Sequence, residues 1–231
     1  MKIALLGYGK MGKTIEKMAL KKGHEIALKV DDDISKHSLD NIDIAIDFSV
    51  PNAAFKNITT CFENKVPVVS GTTGWLDHYD EAVEICKKND SAFIYASNFS
   101  LGVNIFFELN ERLSKIMHLF PEYAASIEEI HHTQKLDAPS GTAITLAEQI
   151  IKESNYNQWK LKNAKENEIP ITAKRIENVS GTHLVTYQSE VDSIEIKHTA
   201  HSRDGFAKGA VVAAEWLIGK KGVFGMKDVL F

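Results

Sequence analysis

A chain of 231 residues with 44% hydrophobic content can form one large domain or two smaller ones without covalent staples. Its 27 basic and 31 acidic residues give a net charge of −4 and form no long runs, which excludes the electrostatic footprint of a nucleic-acid or anionic-membrane binder. The only cysteines, Cys61 and Cys86, lie far apart without metal-ligand spacing, and no window approaches the ~18 apolar residues of a membrane span, so a reducing cytoplasmic setting and small-molecule partners are expected.

The N-terminus runs straight into a strand pattern. Over the first hundred residues, short apolar runs alternate with helical patterns, which predicts βαβ units and a parallel sheet covered on both faces. Strands are expected at Lys2 to Leu6, Ile26 to Val30, Ile42 to Phe48, Val66 to Ser70 and Ala92 to Tyr95, with helices at Met11 to Lys22, Asn52 to Glu63 and Asp77 to Lys88. The stretch from Asp31 to Asn41 is too short and polar to predict a helix. A long helix is expected from Leu101 to Phe120, capped by Ser100, with apolar residues three or four apart. The pattern then changes. Strands at Ala125 to His132, Ile171 to Val179, Leu184 to Glu190 and Ser193 to Thr199, with one helix at Ser140 to Glu153, predict a smaller α+β domain with a mixed, mostly antiparallel sheet. A last helix, Ala207 to Ile218, would cover a sheet.

The run Gly7-Tyr8-Gly9-Lys10-Met11-Gly12 follows the first strand and opens the first helix, the context that a G-x-G-x-x-G dinucleotide fingerprint requires. Gly7 permits the tight turn, Gly9 lets a pyrophosphate approach the backbone, and Gly12 allows close packing, while the N–H groups of the helix start face the anion. Asp31 ends the second strand about twenty residues on, where a carboxylate accepts from both ribose hydroxyls. Asp32 and Asp33 beside it would repel a 2′-phosphate and favour NADH, although Lys10 and Lys13 keep NADPH open. A tight turn without a ligand is the bland alternative. A second glycine turn, Gly71-Thr72-Thr73-Gly74, ends another strand at the sheet edge where ligands lie, though such a sequence is also an ordinary turn.

The stretch Glu129 to Ala143 reads as strand, polar turn and helix start. Alternation puts His131 and Glu129 on one strand face and His132 and Ile130 on the other, so one histidine and not both should enter a reaction site. An imidazole exchanges protons near neutral pH, and Lys135 supplies a fixed positive charge for a carboxylate or an imine. Pro139 precedes a helix start at Ser140, Gly141 and Thr142, whose unpaired N–H groups suit a carboxylate. A surface His-His pair and a plain helix cap would give the same residues. Adjacent strand histidines diverge and no H-E-x-x-H or paired-cysteine spacing occurs, so no metal is expected.

Glu129 to Ala143 resembles the signature of 4-hydroxy-tetrahydrodipicolinate reductases, formerly called dihydrodipicolinate reductases. The Gly7 to Gly12 run, Gly71 to Gly74, Ser97-Asn98-Phe99-Ser100-Leu101-Gly102-Val103-Asn104, and Ser202-Arg203 ahead of Phe206-Ala207-Lys208-Gly209-Ala210 occur in the family's order and extend the likeness over nearly the whole chain. The resemblance implies an NAD(P)H-dependent oxidoreductase of diaminopimelate and lysine biosynthesis that reduces a cyclic imine dicarboxylate to tetrahydrodipicolinate. It implies His131 as general acid and Lys135 as its cationic helper, with His132, Ser140, Gly141 and Thr142 binding substrate. It further implies cofactor positions at Gly7, Tyr8, Gly9, Lys10, Met11, Gly12, Asp31, Phe48, Gly71, Thr72, Thr73, Ser97, Asn98 and Phe99. The implied architecture is a Rossmann-like dinucleotide-binding domain of residues 1–99 and 203–231 and a substrate-binding and tetramerisation domain of residues 100–202, closing over substrate in a homotetramer. The short region after Asp31, with acidic residues where some members are basic, departs from longer members and bears on cofactor choice. An amino-acid semialdehyde or homoserine dehydrogenase is the alternative enzyme, the former needing a cysteine nucleophile beside a histidine. A non-catalytic dinucleotide sensor is the alternative outside enzymes.

Overall fold

The computed structural model describes residues 1–202 and 204–231; Arg203, part of one family block, lies outside them. The chain divides into two compact units, Met1–Leu101 with Asp204–Phe231, and Gly102–Arg203.

The first unit is built on six parallel strands, β1 (Lys2–Leu6), β2 (Glu25–Val30), β3 (Ile44–Asp47), β4 (Val68–Ser70), β5 (Ala92–Tyr95) and β11 (Gly222–Phe224), in the order β11-β5-β4-β3-β1-β2. Its helices are α1 (Lys10–Lys21), α2 (Pro51–Glu63), α3 (Tyr79–Lys88), α6 (Asp204–Leu217) and the short α7 (Met226–Leu230). Because side chains alternate along a strand, Ile3, Leu5, Ile44, Ile46 and Ile94 pack with α1 and α6 on one face, while Ala4, Leu6, Ala45, Val68 and Phe93 pack with α2 and α3 on the other. Burial on both faces explains why these strands read as continuous apolar runs. Each fully buried large side chain, such as Phe62 or Phe93, contributes about 1.5–3 kcal/mol. The order reverses direction between β1 and β3, and the carboxyl ends of such a pair form the crevice where doubly wound sheets take ligands.

The second unit carries a mixed sheet of β6 (Ala124–His131), β7 (Gln158–Lys160), β8 (Glu168–Arg175), β9 (Thr182–Gln188) and β10 (Ser193–Thr199), in the order β10-β9-β6-β8-β7. β9 runs antiparallel to β10 and β6, whereas β8 is parallel to β6 and β7. Helices α4 (Leu101–Met117) and α5 (Gly141–Lys152) contribute Phe106, Met117, Leu146 and Ile150 to its core, against Ile127, Ile171, Val185 and Tyr187 of the sheet. Asn110 of α4 donates to Leu146 O of α5 at 3.1 Å and so pins the two helices together.

The expected elements are present within a few residues, with two differences of substance. Ile34–Lys36 forms one turn of 3-10 helix where no helix was expected, and three short elements, β7, β11 and α7, were not foreseen. Three-residue strands carry too few alternations to register as a period.

Candidate active site

In the first unit, the turn after β1 holds Gly7 at φ +87, with its N–H donating to Val30 O at 2.8 Å. A Cβ on Gly7 would lie 2.4 Å from Phe48 O, and one on Gly12 would lie 2.3 Å from Gly7 O, so both positions are closed by the fold itself. Gly9 differs: a Cβ there meets nothing within 4 Å, and its backbone is extended. As the N-cap of α1 it supplies no side-chain hydrogen bond, which leaves the first N–H groups of that helix to an outside acceptor. These features fit a pyrophosphate.

Asp31 is exposed just past the end of β2 and accepts from Tyr8 N at 2.5 Å, which ties the glycine turn to the end of that strand. The Tyr8 hydroxyl pairs with Glu16 and takes a 3.0 Å hydrogen bond from Lys29. Asp32 and Asp33 point their charge elsewhere. Asp32 meets His37 at 2.6 Å and Lys36 at 3.4 Å, and Asp33 meets Lys56 at 2.7 Å; these partners hold both carboxyls below their ordinary range.

A shelf forms at the carboxyl ends of β3 and β4. The Phe48 ring closes the position of a Gly71 Cβ, which would sit 2.3 Å away, and meets the Phe99 ring at 5.7 Å in a tilted arrangement. Phe99 is 1% exposed and acts as a support for Phe48, its own carbonyl pressed against Gly209. Beneath the shelf lies Asp47, fully buried, accepting from Ser49 Oγ at 2.6 Å, Thr72 Oγ1 at 2.7 Å, Ser70 Oγ at 2.9 Å and Asn57 Nδ2 at 3.3 Å. Burial pushes its carboxyl up despite those four donors. Thr72 is thus a buried structural residue, while Thr73 and Ser97 are exposed at this edge and Asn98 accepts from Ser100 N at 2.9 Å.

In the second unit, Ala125, Ile127, Glu129 and His131 all face the core side of β6. Glu129 is 0% exposed, His131 8% and His183 5%. The Glu129 Oε2 atom accepts from Ser140 N at 3.0 Å and lies 3.4 Å from His131 Nδ1, a close charge contact without hydrogen-bond alignment. His131 turns its Nε2 edge toward Gly181, where a Cβ would approach to 3.2 Å. Burial lowers the His131 imidazole below its ordinary value, Glu129 opposes this, and Lys135, Arg175 and His132 reinforce it. His183 crosses His131 edge to face at 5.1 Å, and burial depresses it to about 4.

Ser140 caps α5 through its Oγ, which accepts from Ala143 N at 3.2 Å and also meets His183 Nε2 at 3.0 Å. Since its N–H is taken by Glu129, the helix start offers Gly141, exposed and with open space at its Cβ position, and Thr142. Lys135 lies in the turn after β6, its ammonium held by Asp137 at 2.7 Å. Arg175 fastens that turn, donating to Lys135 O at 3.2 Å and Asp137 O at 2.6 Å. His132 is half-buried just past the strand end.

Glu129, Arg175, Gly181 and His183 were given no role from sequence. The signal for His183 was present: it alternates with Val185 and Tyr187 on the apolar face of β9. Arg175 carried none, since only the parallel register of β6 and β8 sets it beside His131.

On fold and chemistry the chain falls in the class of Rossmann-type oxidoreductases with a separate α+β unit. Family models described as "Dihydrodipicolinate reductase, N-terminus" and "Dihydrodipicolinate reductase, C-terminus" match residues 1–99 and 102–230. A 4-hydroxy-tetrahydrodipicolinate reductase of Christiangramia forsetii is 66% identical over 100% of this chain and 98% of its own. One from Methanoregula boonei is 36% identical over 81% of this chain and 74% of its own. A dipicolinate-bound dihydrodipicolinate reductase from Paenisporosarcina sp. TG-14 has the same fold, with a TM-score of 0.78 at 23% identity and 97% of each chain covered. The chain belongs to the dihydrodipicolinate reductase family. It is an oxidoreductase, and the family and its Rossmann unit imply a nicotinamide cofactor.

Proposed function

We propose that this protein reduces the cyclic imine dicarboxylate 4-hydroxy-tetrahydrodipicolinate to tetrahydrodipicolinate, a step of diaminopimelate and lysine biosynthesis. The observation that carries the reading is the convergence of His131, the Lys135 turn and the α5 start around buried Glu129. The first unit would hold the cofactor through Gly9 and the start of α1, with Asp31 at the ribose and Phe48, Gly71 and Thr73 at the nicotinamide side. When bound, the nicotinamide supplies the hydride.

The remaining chemistry belongs to the protein. Gly141 N, Thr142 N and Lys135 bind and orient the substrate carboxylates, with His132 beside them; the 4-hydroxyl departs as water, the carbon that carried it takes the hydride, and His131 delivers a proton from Nε2 to the adjacent ring carbon. Ser140 serves the site as cap and spacer. The buried thiols speak against a semialdehyde dehydrogenase: burial raises Cys61 and raises Cys86 to about 11, so neither is an activated nucleophile.

NADH is the favoured cofactor, but by a narrow margin, because Asp32 and Asp33 spend their charge on Lys36, His37 and Lys56 and leave Asp31 to disfavour a 2′-phosphate. A homotetramer formed through the second unit is supported by the exposed apolar residues Ile105, Leu109, Ile116 and Leu119 on and just after α4. A cytoplasmic setting accords with the two free cysteines, and no helix among the described residues is long and apolar enough to cross a membrane. The test is absorbance loss of NADH or NADPH with substrate generated from pyruvate and aspartate semialdehyde. Oxidation of both, faster with NADH, is expected; oxidation of neither refutes the reading.

A further inference from the structure

We propose that Glu129, anchored by Arg175, is the positioning residue of this site: one buried carboxylate that sets the general acid, the lysine turn and the carboxylate-binding helix start together. The proposal rests on the reading of His131 as the acid. Alternation along β6 calls for an apolar side chain at position 129, in line with Ala125 and Ile127. A buried carboxylate there is costly unless its oxygens are satisfied, and both are. Oε2 takes Ser140 N–H and stands beside His131 Nδ1, and Oε1 takes Arg175 Nη2 at 3.2 Å.

Arg175 extends the arrangement. Its fork reaches Glu129 Oε1, Lys135 O, Asp137 O and, through Nη1, Lys174 O at 2.9 Å, so every donor nitrogen of the guanidinium is engaged. Lysine could not reproduce that geometry. Glu129, His131 and His183 also bring one ligand atom each within 4.8 Å of one another, a spacing that suits a cation. A cation reading is weaker, because the metal would have to displace a guanidinium and a helix-cap N–H from the carboxylate, beside the positive charge of Lys135.

The consequence for the acid has a definite sign. The charged and titratable groups facing His131 are Glu129 on its own strand, Lys135 in the following turn, Arg175 on β8 and neighbouring His132, with His183 on β9 held neutral by burial and His198 of β10 acting on His183. Glu129 alone among them favours the protonated imidazole. Taking away its charge makes His131 lose its proton at lower pH, so the alkaline limb of the kcat profile moves down.

The experiment compares pH profiles of kcat and KM for wild type, Glu129→Gln, Glu129→Asp and Arg175→Lys, with the His131 imidazole followed by NMR in each. Glu129→Gln should shift the limb and the NMR titration to lower pH and reduce kcat at neutral pH by up to about 10²-fold, the usual cost of a misplaced reacting group. Arg175→Lys should raise KM for the dicarboxylate through the loosened Lys135 turn. Should Glu129→Gln fail to fold, Glu129→Asp decides: the limb near wild type with a reduced kcat supports the proposal, and an unchanged kcat overturns it. An unmoved limb in folded Glu129→Gln, or an unchanged KM in Arg175→Lys, also overturns it. Inactive wild type instead refutes the function proposed above, leaving the NMR titration to judge Glu129.

Discussion

Two substitutions at Asp47 separate the shape of its side chain from its charge. Alanine removes the acceptor of Ser70 Oγ and Thr72 Oγ1, both buried, while Asn57 retains Ser49 Oγ at 3.2 Å. Each buried donor left unpaired costs about 1–3 kcal/mol, so Asp47→Ala should lose about 2–6 kcal/mol. Asparagine keeps an oxygen for Ser49 and Asn57 and turns an NH2 toward Ser70 and Thr72, whose hydroxyls can rotate to accept. Asp47→Asn should therefore stay within about 1 kcal/mol of wild type. The pH trend follows from burial. A carboxyl whose folded pKa is raised contributes its stability fully below the ordinary carboxylate range and loses it as pH rises through the folded value, whereas asparagine does not titrate. Raising the pH should thus move the balance steadily toward Asp47→Asn. Urea melts from about pH 4 to pH 8, followed by fluorescence and circular dichroism, measure both effects. Equal losses for the two variants, or a balance moving toward wild type with rising pH, would refute the reasoning.

Three further outcomes are expected. His131→Gln should lower kcat by ~10²- to 10⁴-fold with little change in NADH affinity, and wild-type turnover would remove the residue from its role as acid. Gly9→Ala should fold as well as wild type yet bind NADH weakly, since only a ligand competes for its Cβ space, whereas Gly7→Ala should be destabilised outright; calorimetric titration and thermal melts distinguish the pair, and matching behaviour would count against a pyrophosphate at Gly9. Gly181→Ala places a methyl against the Nε2 edge of His131 at a backbone φ of +154, so kcat should drop more than KM changes, and unaltered kinetics would show that this edge is not the one in use.

The strands of the first unit were legible because burial on both faces leaves uninterrupted apolar runs, and Gly7 to Gly12 marked a strand-to-helix turn because its glycine spacing falls between a strand pattern and a helix pattern. The candidate residues of β6 and α5 stood out as a string through their family resemblance, since alone they also fitted a surface histidine pair and a plain helix cap. Their partners did not. Arg175 meets Glu129 only through the register of β6 against β8, forty-odd positions apart in sequence, and a single sequence carries no record of register. The same limit hid the commitment of Ser140, whose free N–H and hydroxyl looked available until Glu129 and His183 were brought to them. Asp33 read as bare negative charge for a comparable reason, since Lys56 arrives from α2, whereas Asp32 meets Lys36 and His37 within its own turn.

The chain leaves the first unit after Leu101 and re-enters it at Asp204, so the second unit is an insertion within the first. During synthesis, the inserted residues are complete while the sheet around them still lacks β11 as neighbour to β5 and α6 as cover for Ile3, Leu5 and Ile94. The glycine-rich turn, though made first, therefore sits on a half-covered scaffold until the last thirty or so residues emerge, which makes the nucleotide-type unit the later of the two to become self-supporting.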